Sequence, residues 1–299
     1  MKKQSPPSVA IPASQDRLYQ DVAFFTSLNP PRNYLHPESL QKCIEYIEGT
    51  FQPLDCQVKR QDFQAEGVTY TNVIAQFKVQ AGPRLVIGAH YDVCGEQPGA
   101  DDNASALAGL LEIARLLDTL KPDLPYQIDF VAYANEEPPF FASPDMGSYV
   151  HADSLKKEGI ALKAMICLEM IGYFSDEPHL QNYPIAAMKL LYPSKGNFIG
   201  VIGNSRGKKL NKHMEKHMKA AGTVDVYSVN VPSSVAGIDY SDHRNYWEMG
   251  YEAVMINDTS FYRNPNYHTE QDSIDTLDFA RMTEVVKGVY WALVNFHHF

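Results

Sequence analysis

Apolar positions along this chain change their spacing twice. In "SQDRLYQDVAFFTSL" (14–28) and "HPESLQKCIEYIEGTF" (36–51) they recur every three or four residues, which lines one face of a helix. Ser14 and His36-Pro37 stand near the starts, where a capping oxygen or a proline belongs. Period-two alternation follows in "CQVKRQDF" and "TYTNVIAQF", separated by "QAEGV", and predicts a hairpin. From residue 84 onward, short apolar runs trade places with helical periods. Strands are expected at "RLVIGAHYD" (84–92), "YQIDFVAYAN" (126–135), "LKAMICLEM", "FIGVIGN" and "YEAVMIND". Helices are expected at "NASALAGLLEIARLLDTL" (103–120), "DMGSYVHADSLKKEG" (145–159), "GKKLNKHMEKHMKAA" and "DTLDFARMTEVVKGVYWALVNF". Continuous apolar strands alternating with helices imply an α/β fold: a three-layer αβα sandwich around a mixed, mostly parallel sheet. One domain over 1–299 is expected, with the helices of 1–52 packed on it. Residues 171–196 and 231–249 lack either period and read as loops near a site.

Composition narrows the class. At 44% hydrophobic and 11% aromatic over 299 residues, the chain has enough apolar side chain for a sizeable core. No window approaches the roughly 18 apolar residues of a membrane span, so no membrane partner is expected. The opening "MKKQSPPSVAIPASQ" offers only a short apolar patch broken by proline, so no leader is expected either. Four scattered cysteines without a CxxC pair suggest neither a disulfide framework nor a thiolate zinc site, and fit a reduced, cytoplasmic protein. With 36 acidic against 26 basic residues and a net charge of −10, phosphate-backbone binding is disfavoured, which argues against nucleic acid.

In an open α/β sheet, ligands bind beyond the carboxyl ends of the strands. Those ends carry His90 and Asp92, then Asp101 and Asp102 ahead of a helix, then Glu136 and Glu137, then Glu169, and His268 after the last strand. Singly, each has a plain structural reading. His90 fits a core histidine, Asp102 and Asn103 fit a helix cap, and the paired glutamates fit a solvated loop. However, Pro138-Pro139 and Phe140-Phe141 follow directly, an odd setting for a solvated turn. A carboxylate at Glu169, inside an apolar strand, needs a cation or a proton. The recurrence of metal-type donors at successive strand ends points to a metal site.

The motifs "AHYD", "GADDNASA", "NEEPPFF", "LEMIGY" and "YHTEQDSIDTLD" resemble, in order and spacing, those of the co-catalytic zinc aminopeptidases of clan MH, a group that includes glutamate carboxypeptidases and glutaminyl cyclases. The resemblance covers about residues 84–280. It implies two zinc ions bridged by Asp102, one completed by His90 and Glu169, the other by Glu137 and His268. Asp92 is then expected to orient His90 through its second ring nitrogen, and Asp101 is not the bridge. A cis peptide between Asp102 and Asn103 is also implied. Charge agrees with two metals, since three carboxylates and one bridging hydroxide cancel four positive charges. Manganese and cobalt suit the same oxygen and imidazole donors.

Adjacent side chains leaving a strand diverge, so Glu137 is expected to hold a metal while Glu136 serves the water bridging the pair as general base, then acid. The expected reaction is hydrolysis of a peptide with a free N-terminus. Tyr240 or Tyr267 is the candidate donor to the oxyanion, and Asp242 in "SDHRNYWEMG" a candidate contact for the substrate amine. His213 and His217 in "KHMEKH" read as a solvated helix face rather than a second zinc site. Two departures from the family pattern are Glu169, where many relatives have Asp, and Ala106, where Gly is usual. A carboxypeptidase using Arg244 or Arg263, a glutaminyl cyclase, and a non-catalytic binding module are the competing readings.

Overall fold

The computed structural model describes residues 10–79 and 82–296. Residues 1–9, most of the opening segment read above for a leader, lie outside the described residues. Helices α1 (Gln15–Thr26) and α2 (Pro37–Phe51) come first, with Ser14 capping α1 by accepting the Arg17 N–H. Strands β1 (Gln57–Ala65) and β2 (Val68–Phe77) form the expected hairpin. Its turn is tighter than "QAEGV" suggested. Only Glu66 and Gly67 remain unpaired, both at positive φ, the geometry that two-residue hairpin turns need.

The rest of the sheet comprises β3 (Arg84–His90), β4 (Gln127–Tyr133), β5 (Leu162–Glu169), β6 (Phe198–Gly203), β7 (Asp225–Asn230) and β8 (Ala253–Asn257). Its order is β1-β2-β4-β3-β5-β8-β6-β7. The β3/β4, β3/β5, β5/β8 and β6/β7 pairs are parallel, and the other three antiparallel. This is the mixed sheet expected. Strand β7 was not foreseen; its two apolar positions, Val226 and Val229, give little periodic signal at a sheet edge.

Alternation along the strands divides the core into two layers. Leu85, Ile87 and Ala89 of β3 pack on one face with α1, α2, α3 (Ala106–Leu120), α5 (Lys208–Ala221) and α7 (Phe279–Val294). Val86, Val131, Tyr133, Met165 and Cys167 face the other way, towards α4 (Gly147–Lys157) and the short α6 (His243–Glu248). The strands thus lie between helical layers, and each buried Leu or Phe contributes about 1.5–3 kcal/mol. Buried Glu112 of α3 docks α1, accepting from the Ser14 N–H at 2.8 Å and from Arg17 Nη2 at 2.6 Å. His213 and His217 do not form a solvated face. They pack with rings 4.4 Å apart, His213 against Phe296 and hydrogen-bonded to the Ala292 carbonyl, on the side of α5 that meets α7. The lysines around them had masked that apolar side. Among the described residues no helix is long and apolar enough to cross a membrane, and all four cysteines are free.

Candidate metal centre

The parallel strands β3 and β5 deliver His90 and Glu169 as their last residues, side by side at one end of the sheet. A distorted helical turn, Ala100–Ser105, brings Asp102 over them, with a cis Asp102–Asn103 peptide as expected. Gly99 makes this approach possible. Its φ is +62°, and a Cβ there would stand 2.3 Å from the Asp102 carbonyl oxygen, closer than any side chain allows. Glu136 and Glu137 follow β4, and His268 comes from the loop after β8. Asn135, Met170 and His268 all have positive φ, a strained conformation costing about 1 kcal/mol or more apiece, which the surrounding bonds must offset.

The donors converge on two points. His90 Nε2 lies 3.4 Å from both Asp102 Oδ1 and Glu169 Oε2, while His268 Nε2 lies 3.0 Å from Asp102 Oδ2 and 3.4 Å from Glu137 Oε2. Asp102 therefore turns one oxygen to each group. Two donors held tetrahedrally by one zinc at about 2.0–2.1 Å stand about 3.4 Å apart, which matches these separations. Both Nε2 atoms and Glu137 Oε1 are buried without a well-directed hydrogen bond. Charge points the same way. Were all four carboxyls ionised, Asp102, Glu136, Glu137 and Glu169 would outweigh even two protonated histidines, a costly state that bound divalent cations or bound protons relieve. The donor set fits bound metal ions. Glu136 Oε2 stands farther from His90 Nε2, at 3.8 Å, although it also groups with His90 and Glu137.

A ring of hydrogen bonds aims these side chains. His90 Nδ1 faces the Asp92 main-chain carbonyl at 3.2 Å and the Asp92 carboxylate at 3.5 Å. That carboxylate accepts the N–H groups of Glu136 and Glu137, each at 3.1 Å. Asp92 thus ties two strand ends together, orienting His90 mainly through its backbone. Ser241 Oγ donates to Glu169 Oε2 at 2.6 Å, and Asn103 Oδ1 accepts the Met170 N–H. Asp272 accepts the N–H groups of Asp101 and Asp102 at 2.9 and 3.0 Å. Asp101 is turned away, accepting from Gly172 N and Asn264 Nδ2, as expected of a residue that is not the bridge.

Burial and crowding perturb the acids. Burial, partly offset by His90, leaves Glu136 far above the usual carboxylate range, with like charges on Glu137, Glu169 and Asp242 adding to the shift. Burial, then Asp102, raises Glu137 to about 7. Asp102 is driven below its ordinary value despite burial, by bonds from His268 and His90. Burial disfavours the charged His268 ring, yet Asp102 and Glu137 raise it to about 10.

Asp102, Glu136, Glu137, Glu169 and His268 line a cavity of about 260 Å³ whose other lining residues are mainly aromatic and aliphatic. The loops 171–196 and 231–249 supply part of that wall, including Tyr183, Tyr192 and Ile238, although 231–249 also contains α6. Tyr240 and Tyr267 both line it. Tyr267 stacks on His268 with centroids 3.8 Å apart, whereas Tyr240 packs against Phe141 and Phe261. Asp242 is fully buried and does not line the cavity. Burial raises it to about 7, and its charge is felt by Glu136. Sequence reasoning missed Ser241 and Asp272, both inside quoted motifs, and Cys94, whose ligand atom groups with those of Glu137 and His268.

Comparison with known proteins agrees with this geometry. The uncharacterized protein YfbL of Escherichia coli is 42% identical over 297 residues, covering 97% of this chain and 90% of its own. Leucine aminopeptidase 1 of Fusarium vanettenii is 28% identical over 227 residues, 71% of this chain and 52% of its own, so the chain spans about half the length of that relative. Two solved structures share the fold. The Legionella pneumophila LapA aminopeptidase has a TM-score of 0.68 at 23% identity, over 94% of this chain and 71% of that one. Bacteroides thetaiotaomicron glutaminyl cyclase has a TM-score of 0.72 at 20% identity, over 97% and 99%. The model of peptidase family M28 matches residues 72–292, from within β2 almost to the end of α7; with every donor of both groups inside that span, the chain belongs to peptidase family M28.

Proposed function

We propose that this protein is a dinuclear zinc aminopeptidase, with Glu136 as its proton-transfer group and a bulky apolar N-terminal residue as its preferred substrate side chain. The observation that carries this reading is the cavity, lined both by the candidate metal donors Asp102, Glu137, Glu169 and His268 with Glu136 and by mainly aromatic and aliphatic side chains. Among the described residues no Lys or Arg lines it. Arg263 is buried, bonded to Gln181 and the Phe198 carbonyl, and Arg244 lies over Phe141. A terminal carboxylate would find no cation there, whereas a terminal ammonium would meet carboxylates.

His90, Asp102 and Glu169 would hold one zinc, and Asp102, Glu137 and His268 the other. When bound, the pair supplies a Lewis acid for the scissile carbonyl and a more acidic attacking water. Glu136 borders the cavity unencumbered by any strong hydrogen bond, and its N–H is fixed by Asp92, so its carboxylate can take the water's proton and return it to the leaving amine. Neutralising Glu137 and Glu169 removes their share of its upward shift, leaving that of Asp242, and brings it nearer the range useful to a base. Tyr267, fixed by its stack on His268, is the better placed tyrosine to donate to a developing oxyanion.

A panel of peptides tests the reading. Phe- and Leu-terminated peptides should release the free amino acid, and N-acetylation should abolish release. Cleavage from the blocked C-terminal side only would make it a carboxypeptidase. Ammonia and a pyroglutamyl product from Gln-terminated peptides, without amino acid release from the others, would make it a glutaminyl cyclase. Metal bound without turnover of any peptide would leave a binding module.

A further inference from the structure

The loop that follows β3 carries a thiol where the metal-type donors otherwise are oxygen and nitrogen. Cys94 Sγ, a Glu137 carboxylate oxygen and a His268 ring nitrogen all lie within 4.8 Å of one another. The loop is held on both sides of the thiol, because the Val93 N–H donates to the Arg32 carbonyl at 3.2 Å and Asn33 Nδ2 donates to the Gly95 carbonyl at 2.6 Å. Arg32, itself buried, also donates to the carbonyls of Tyr91, Pro98 and Gly99. Cys94 is thus presented by a pinned segment. Within that group Glu137 is itself 4% exposed, and its Oε1 has no hydrogen-bond partner among the described residues, the sign of a ligand site left open.

We infer that Cys94 is a fourth protein ligand of the metal ion held by Asp102, Glu137 and His268. The inference rests on the two-metal reading above. Coordination exchanges the S–H proton, released to solvent, for a metal–sulfur bond. Cys94, Glu137 and His268 form one candidate ligand group, whereas the other, formed by His90, Asp102 and Glu169, has no sulfur. The two sites are therefore chemically unequal. A soft sulfur donor favours zinc or cobalt over manganese, so the Cys94 side should discriminate among divalent ions more sharply than the all-oxygen-and-imidazole side.

The test uses the full chain stripped of metal and titrated with cobalt(II), comparing the parent with Cys94→Ser and Cys94→Ala. The parent should take up two equivalents, with one also producing an intense near-ultraviolet sulfur-to-cobalt charge-transfer band. Both variants should lack the band while still giving the weaker visible cobalt spectrum, and should bind the affected equivalent at least about tenfold more weakly, the least that even outer partners of a site produce. Cobalt should also slow alkylation of Cys94 in a Cys56→Ser background, since Cys43 and Cys167 are buried. Two bound cobalt ions without the band, or an unchanged band in the variants, would overturn the inference and leave the two-metal reading standing. Failure to bind cobalt at all would overturn both.

Discussion

Replacing Ser241 with alanine removes one oxygen atom and nothing else from the wall behind the metal centre. The hydroxyl is fully buried and donates to Glu169 Oε2 at 2.6 Å, while Cys167 Sγ lies 3.0 Å away. Burial already raises Glu169, and the Ser241 bond is one of the interactions that pull it back towards ionisation. Without that bond the carboxyl is more easily protonated, and a metal must first displace the proton. A buried hydrogen bond to a charged group contributes about 1.5–3 kcal/mol, which corresponds to an affinity loss of about 10- to 150-fold. The loss should fall on the ion held by His90, Asp102 and Glu169, because no Ser241 contact reaches Glu137 or His268. Competition for zinc between the metal-free protein and a chromophoric chelator resolves the two binding steps. One step should weaken by that factor and the other stay within about twofold, with thermal melting of the metal-free variant confirming the fold. Two unchanged steps in a folded variant would refute the role given to Ser241, and equal weakening of both would refute the separation into two sites.

Glu136→Gln should keep both metals and lower kcat by about 100- to 10,000-fold; metal analysis beside peptide kinetics checks this, and parental turnover would end the proton-transfer assignment. His268→Ala should lose the ion shared with Glu137 and retain the one at His90, so metal analysis after desalting should give one equivalent rather than two or none. The metal-free protein should melt at a higher temperature at pH 6 than at pH 8. Glu137, Asp242 and Asp272, each raised to about 7 mainly by burial, hold protons in the folded state that the unfolded chain releases, so stability grows as pH falls through that range. His268, raised to about 10 by Asp102 and Glu137 against the cost of burial, contributes stability that is complete below about 6.5 and lost as pH rises through 10, the same sign. Bound zinc displaces the protons of Glu137 and His268, so the holoprotein should show a flatter dependence; a lower melting temperature at pH 6 for the stripped protein would contradict this electrostatic account.

Sequence alone carried the sheet's parallel heart, because fully buried strands such as "RLVIGAH" leave an unbroken apolar trace, and it made His90 and Glu169 legible as candidate donors, because each is the last residue of such a strand, whereas Asp102 and His268 lie well beyond the ends of β3 and β8. It did not carry what aims them. Ser241 and Asp272 act through hydrogen bonds across 72 and more than 160 positions of chain, and nothing about a serine or an aspartate in a loop announces its partner. Asp92 shows the same limit: its place beside His90 was legible, but not that its carboxylate holds the two glutamate N–H groups. Asp242 was a candidate substrate contact from the resemblance of "SDH" to a family segment, and a resemblance of three residues does not show that the packing around α6 buries the side chain. The apolar side of α5 was hidden for a related reason, since Lys208, Lys209, Lys212, Lys216 and Lys219 dominate the composition around His213, Met214 and His217 without lying among the buried residues of the helix.

Zinc-edge anomalous diffraction from crystals of the metal-loaded protein tests the central claim most directly. Two peaks are expected, one on each side of the Asp102 carboxylate, the first against His90 and Glu169 and the second against Glu137 and His268, with Glu136 bound to neither. A single peak, peaks remote from Asp102, or density joining Glu136 to a metal would contradict it.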